Sequence, residues 1–178
     1  ARRNQFHFPT NHRQLSITGY QILFATLWQR FISENTEDKT GYAVLLLSLL
    51  SGLSMDSIIT DWQCSLSQRQ YFIYDQVREI SCIAITIDVT TNTRSHLLAY
   101  RQSYGSTFYR ALPDPLQAML EDKITVSSDT VEAAIYYAKD LLNLPALSPQ
   151  YIEAGLFILI KNELNKPLHA DLVTGVDV

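Results

Sequence analysis

The chain has 178 residues, 47% of them apolar, and a formal net charge of −4. That length fits one ordinary domain with a real core, its apolar runs fall well short of the roughly 20 residues that span a bilayer, and its acidic balance lacks the field of a dedicated nucleic-acid binder. Arg2-Arg3 is followed by Asn, Gln, His and Pro instead of an apolar stretch, which is not a signal peptide. The reading is a cytoplasmic protein with no membrane partner. Cys64 and Cys82 are too few for a disulfide framework or a zinc knuckle and are read as reduced. Every carboxylate lies at or after Glu34, so Arg2, Arg3, Arg13 and Arg30 lead the chain without acidic company. The chain opens at Ala1 with no methionine and stops just after a glycine, and it is expected to be a piece of a longer protein.

Residues 1–15 are polar and aromatic without period and read as a basic arm or linker, leaving 16–178 as a single domain. Tyr20, Leu23, Phe24, Leu27, Trp28 and Phe31 recur at three- and four-residue steps and predict a helix from about Ile17 to Ile32. Ala43 to Leu50 is apolar on nearly all sides, the pattern of a helix enclosed by its neighbours, and Ser51-Gly52 supplies its stop. Ser54 can cap a short helix through Trp62, with Asp56 in the first turn where the dipole favours an anion.

The period changes after Trp62. Tyr71 to Tyr74, Cys82 to Ile87, Leu97 to Tyr100 and Thr107 to Ala111 read as strands, the last two separated by a Ser103-Tyr104-Gly105 turn. They predict a three- or four-stranded antiparallel sheet between about 68 and 112. Pro113-Asp114-Pro115 closes it and starts a helix over Leu116 to Asp122. Asp129-Thr130-Val131-Glu132 has capping-box-like spacing ahead of a stripe of Val131, Ala134, Ile135, Ala138, Leu141 and Leu142. Ser148-Pro149 opens a helix to about Leu164 with Ile152, Leu156, Leu159 and Ile160 inward, and a short helix is expected from His169 to Thr174. The fold class is α+β, a mostly helical domain with a small antiparallel sheet inserted.

The glycines are scattered singly and form neither a Walker nor a dinucleotide loop, so no nucleotide cofactor is implied. His7, His12, His96 and His169 lack the short spacing to Cys, His, Asp or Glu of a metal motif, and no metal is expected. Ser51 and Ser106 lack the context of a nucleophile elbow. Tyr104, Tyr109 and Tyr136-Tyr137 could stack on bases, although aromatic residues beside apolar stripes more often pack in a core or at its rim.

The order of elements carries more information. An enclosed helix ends in Leu50-Ser51-Gly52-Leu53-Ser54, a sheet follows, then Tyr109-Arg110-Ala111-Leu112-Pro113, then helices ending in Leu172-Val173-Thr174-Gly175. This resembles the catalytic domain of the tyrosine recombinases, the phage-integrase family, over residues 15–178. In that family a Thr-Gly-Leu-Arg box precedes a short helix, and Ser51-Gly52-Leu53-Ser54 stands there in this chain. The family's Leu-Pro segment after a strand is matched by Leu112-Pro113. With Thr174-Gly175 at the family's Leu-Gly step, its His-x-x-Arg motif falls on Gln150 and Glu153.

The resemblance implies a lost active site. The family holds the scissile phosphate with two arginines and attacks it with a downstream tyrosine. Here the arginine positions are Ser54 and Glu153, and the chain stops short of the tyrosine. A carboxylate about 4 Å from a phosphate is repelled by about 4 kcal/mol at an effective dielectric of about 20, the opposite of what phosphoryl transfer needs. No catalytic residue and no cofactor is therefore implied, and the chain is not expected to cut DNA. The basic residues nearest the family's sheet-turn lysine are Arg94 and Arg101, and Arg94 sits on a polar turn that can meet a phosphate backbone. Arg2, Arg3, Arg13 and Arg94 are the candidate DNA contacts. The plainer readings are Ser54 as an N-cap, Gln150 and Glu153 as solvated first-turn side chains, and Arg94 as a surface arginine. The implied partners are double-stranded DNA, a partner recombinase, or the chain's own missing segments. Two functions follow: an integrase-like module that holds DNA without cutting it, or an interaction scaffold that kept the fold and lost DNA.

Overall fold

The computed structural model describes residues 15–33, 36–86, 107–122 and 125–163. Helix α1 (Ile17–Ser33) buries Leu23, Leu27 and Phe31 on one stripe, with Tyr20, Phe24 and Trp28 packed along its rim. Helix α2 (Thr36–Ser51) is enclosed: Tyr42 to Leu47 and Leu49 are all buried, so it runs through the centre of the core as its all-round apolar sequence requires. It packs against α1 and against α5 (Ser128–Leu141). The contact with α5 is close because position 41 is glycine; a Cβ there would collide with the Thr130 carbonyl. Leu15, only 2% exposed, belongs to the core.

Gly52, at φ 73°, turns the chain out of α2 in the left-handed conformation that glycine adopts without a Cβ penalty. Helix α3 (Met55–Gln63) then starts from Ser54, whose hydroxyl accepts from the Ser57 N–H at 3.2 Å. It buries Met55, Ile58, Asp61 and Trp62. After a 3-10 turn at Leu66–Gln68 come β1 (Phe72–Asp75), β2 (Ile80–Thr86) and β3 (Thr107–Ala111). The described strands form one antiparallel sheet in the order β1-β2-β3, with Phe72 opposite Ile83 and Ala84 opposite Tyr109. The domain is α+β, with the small antiparallel sheet inserted between helices as the change of period predicts. The proposed strand at Leu97 to Tyr100, the turn after it and the helix at His169 to Thr174 lie outside the described residues.

Asp61 joins α3 to the sheet. Its buried carboxylate accepts the Gln70, Tyr71 and Phe72 N–H groups at 2.6, 3.1 and 2.9 Å, which fixes the entry to β1. Arg69, 7% exposed, donates to the carbonyls of Trp62 and Leu120 and ties the ends of α3 and α4 (Asp114–Glu121) together. Burial lowers the Arg69 pKa from its ordinary value, and Asp61 and Cys64 push it back up.

Three expectations need correction. The cap of α5 is Ser127, whose hydroxyl accepts from the Asp129 N–H, so Asp129 is a first-turn acid and not the capping residue. Leu141 is 56% exposed, because α5 ends there and Asn143, at φ 50°, turns the chain away before the stripe can continue. The helix from Ser148 is not continuous to Leu164. It breaks at Ala154 into α6 (Pro149–Glu153) and α7 (Gly155–Ile158), followed by a π-helical turn over Leu159–Glu163. Gly155 is buried at the break, where a Cβ would lie 3.2 Å from Leu15 and 3.5 Å from Leu49, so the absence of a side chain lets the chain pack closely on the α2 core. Among the described residues no single helix is long and apolar enough to cross a membrane.

Candidate functional site

The corner between α2 and α3 gathers the positions that the sequence singled out. Its loop is held locally: the Ser48 hydroxyl donates to the Leu53 carbonyl at 2.9 Å, and the Ser51 hydroxyl donates to Leu47 and accepts from the Leu53 N–H. Ser54 then presents the first turn of α3, with its hydroxyl 2.7 Å from that of Ser57. Glu153 arrives from α6. Its Oε1 accepts the Met55 N–H at 2.9 Å, a contact across 98 residues of sequence. The structure therefore brings Glu153 to the residue beside Ser54. Gln150 lies three residues earlier, on the same side of α6, and is exposed to solvent.

The chemistry of this contact is that of an internal anion. The first N–H groups of a helix have no partner within it, and the dipole places partial positive charge there. Glu153 supplies the negative charge, so the end of α3 is neutralised by the protein's own carboxylate.

The end of α2 at this corner carries a cation that the sequence reading passed over. Arg110, on β3, donates from Nη2 to the Leu50 carbonyl at 2.7 Å. Beside it the Tyr20 hydroxyl donates to the Leu49 carbonyl. Both groups serve the C-terminal end of α2, where carbonyls lack helical partners and a positive charge is favoured. Burial pushes the Tyr20 phenol up to about 12, while Arg110 pulls it down. Burial lowers the Arg110 pKa, and Tyr20 raises it. The signal that could have found Arg110 is its place in Tyr109-Arg110-Ala111-Leu112-Pro113, a lone charge in an otherwise apolar strand end.

No family model, curated protein or solved structure matches this chain. Its site is therefore read from its own geometry.

Arg2, Arg3, Arg13 and Arg94, like Arg101 and the four histidines, lie outside the described residues. Several of the described cations are held by contacts within the chain. Arg30 lies 4.3 Å from the ring centre of Tyr137 and 5.7 Å from that of Tyr42, Arg69 is buried between carbonyls, and Arg78 pairs with Asp75 at 3.5 Å. Tyr137 is thus an internal packing residue, whereas Tyr136 and Tyr109 are exposed. Cys64 and Cys82 are both free thiols. A cavity of about 570 Å³ lined by Cys64, Leu66, Arg69, Ile73, Tyr74 and Glu121 opens at the opposite end of α3 from Glu153. Among the described residues no group of three His, Cys, Asp or Glu side chains is arranged to hold a metal.

Proposed function

We propose that this chain is a diverged tyrosine-recombinase-like module of a mobile-element or DNA recombination protein, one that holds DNA without cutting it. The observation that carries the reading is the convergence of Glu153 with the Ser54 helix end. The resemblance requires these two positions, distant in sequence, to share one pocket. The contact between Glu153 and the Met55 N–H, one residue beyond Ser54, supports that placement.

The same contact supports the absence of cleavage. Where the family's arginines would stabilise charge on a phosphate, this chain has a hydroxyl already used for capping and a carboxylate already bound to the helix end. Electrostatic stabilisation is the main contribution of a protein to phosphoryl transfer, and the Glu153 carboxylate at the start of α3 opposes it. Binding would run through Arg2, Arg3, Arg13 and Arg94, which lie in segments poor in carboxylates. Four phosphate contacts give a slope of roughly −3 to −4 for log affinity against log salt. Fluorescence anisotropy of a labelled duplex over a salt series tests this, and folded protein that fails to bind at low salt removes DNA from the reading.

One observation favours the second reading, a protein-interaction scaffold that does not bind DNA. Arg30 and Arg69 are engaged inside the fold, while Asp56, Asp114, Glu121, Asp122, Asp129, Glu132 and Asp140 outnumber Arg78 and Lys139 among the exposed described charges. Such a surface repels a phosphate backbone and suits a basic protein partner.

A further inference from the structure

We propose that Arg110 is an oxyanion-binding residue at the α2–α3 corner, and that its ligand is a phosphate of a nucleic-acid backbone. Among the described residues the guanidinium has one hydrogen bond, from Nη2 to the Leu50 carbonyl. Its Nε is sealed from solvent and has no partner. No carboxylate among the described residues forms an ion pair with it. The Glu153 carboxylate is bound to the Met55 N–H.

This arrangement is unusual for an arginine that serves only structure. A half-buried charge is normally paired, because desolvation without a counter-ion is costly. The end of α2 offers partial compensation through Leu50, but one carbonyl satisfies one of five donors. Nη1 is not hydrogen-bonded among the described residues, so the fork retains a donor to spare. A planar guanidinium with donors to spare matches the geometry of a phosphate or carboxylate oxygen pair. Tyr20 stands beside it as a neutral phenol and does not compete for the charge, in keeping with burial holding its pKa at about 12.

The choice of phosphodiester as the source of the oxyanion rests on the recombinase-like reading. The existence of the oxyanion site does not. The test uses the full chain, with a labelled DNA duplex and inorganic phosphate as separate probes at low salt. Arg110→Gln keeps a donor for the Leu50 carbonyl and removes the charge. It should weaken duplex binding about tenfold to a hundredfold, as for loss of a charge-assisted hydrogen bond, and reduce the salt slope by about 0.9. It should also abolish thermal stabilisation by inorganic phosphate. Phosphate stabilisation that depends on Arg110, with no duplex binding by the unaltered chain, keeps the oxyanion site and ends the DNA reading. Duplex binding that is equal in the unaltered chain and Arg110→Gln, both folded, overturns the site and leaves the DNA reading intact. Absence of both responses overturns the site as well. Arg110→Lys covers the case in which Arg110→Gln fails to fold: it should preserve the slope and lose affinity several-fold, and unchanged affinity counts against the site.

Discussion

Replacing Glu153 with glutamine separates the helix-end contact that the structure shows from the phosphate repulsion that the proposed function implies. The side chain accepts the Met55 N–H at 2.9 Å and neutralises the start of α3. A hydrogen bond to a charged group contributes about 1.5–3 kcal/mol, against about 1 kcal/mol for a neutral one, and an anion at a helix N-terminus adds about 0.3–1 kcal/mol. Glutamine keeps an acceptor in the same place, so Glu153→Gln should cost about 1–2 kcal/mol. With a urea m-value of about 2 kcal/mol/M, the midpoint falls by roughly 0.5–1 M. Affinity for a phosphate should move the other way. At about 8 Å and an effective dielectric of about 20, the carboxylate repels a phosphate charge by about 2 kcal/mol; with solvent screening, its removal is worth about threefold to thirtyfold in affinity. Urea unfolding and duplex anisotropy on the same preparations measure both. A variant that is less stable yet binds DNA more tightly is the expected result. Unchanged stability would refute the helix-end latch, and unchanged or weaker binding would refute the account of Glu153 as an anion that occupies the phosphate position.

Asp61→Ala removes the acceptor of three N–H groups at the entry to β1, and should cost about 3–5 kcal/mol in chemical denaturation; a loss under 1 kcal/mol would mean that the sheet does not depend on this joint. Gly41→Ala forces a Cβ against the Thr130 carbonyl at the crossing of α2 and α5, and should cost about 1–3 kcal/mol, read as a lower Tm. Tyr20 has a folded-state pKa of about 12, above its ordinary 10.0. The neutral phenol is thus favoured in the folded state, so its contribution is fully present below pH 10 and is lost as pH rises from about 10 to about 12. A shift of this size corresponds to about 2–3 kcal/mol, and Tyr20→Phe should flatten that part of the stability profile.

Much of the helical architecture was legible because burial writes a period into the chain. The stripe of Leu23, Leu27 and Phe31 and the unbroken apolar run of α2 leave little choice of structure, and Ser54 and Ser148 act as the caps their positions suggest. The break at Ala154 was hidden, since Gly155 and Leu156 keep the helical period on both sides of it. Only the structure shows that Gly155 packs against Leu15 and Leu49 there. The convergence of Ser54 with Glu153 came from aligning motifs, because no local pattern connects residues so far apart. Arg110 was missed for a related reason: strand alternation shows which side of a sheet a residue occupies, but not that a helix end lies within reach. The buried Asp61 was invisible as well, since an acid in Thr60-Asp61-Trp62 reads as an exposed helix position until the strand entry is seen to need an acceptor.

The proposed function is that the chain holds DNA without cutting it. Incubating stoichiometric protein with supercoiled plasmid, and resolving both bound and deproteinised DNA on gels, tests the two halves together. The account predicts salt-sensitive retardation of the plasmid with its topology unchanged after protein removal. Relaxed or nicked product above a protein-free control, or no retardation at low salt by folded protein, would contradict it.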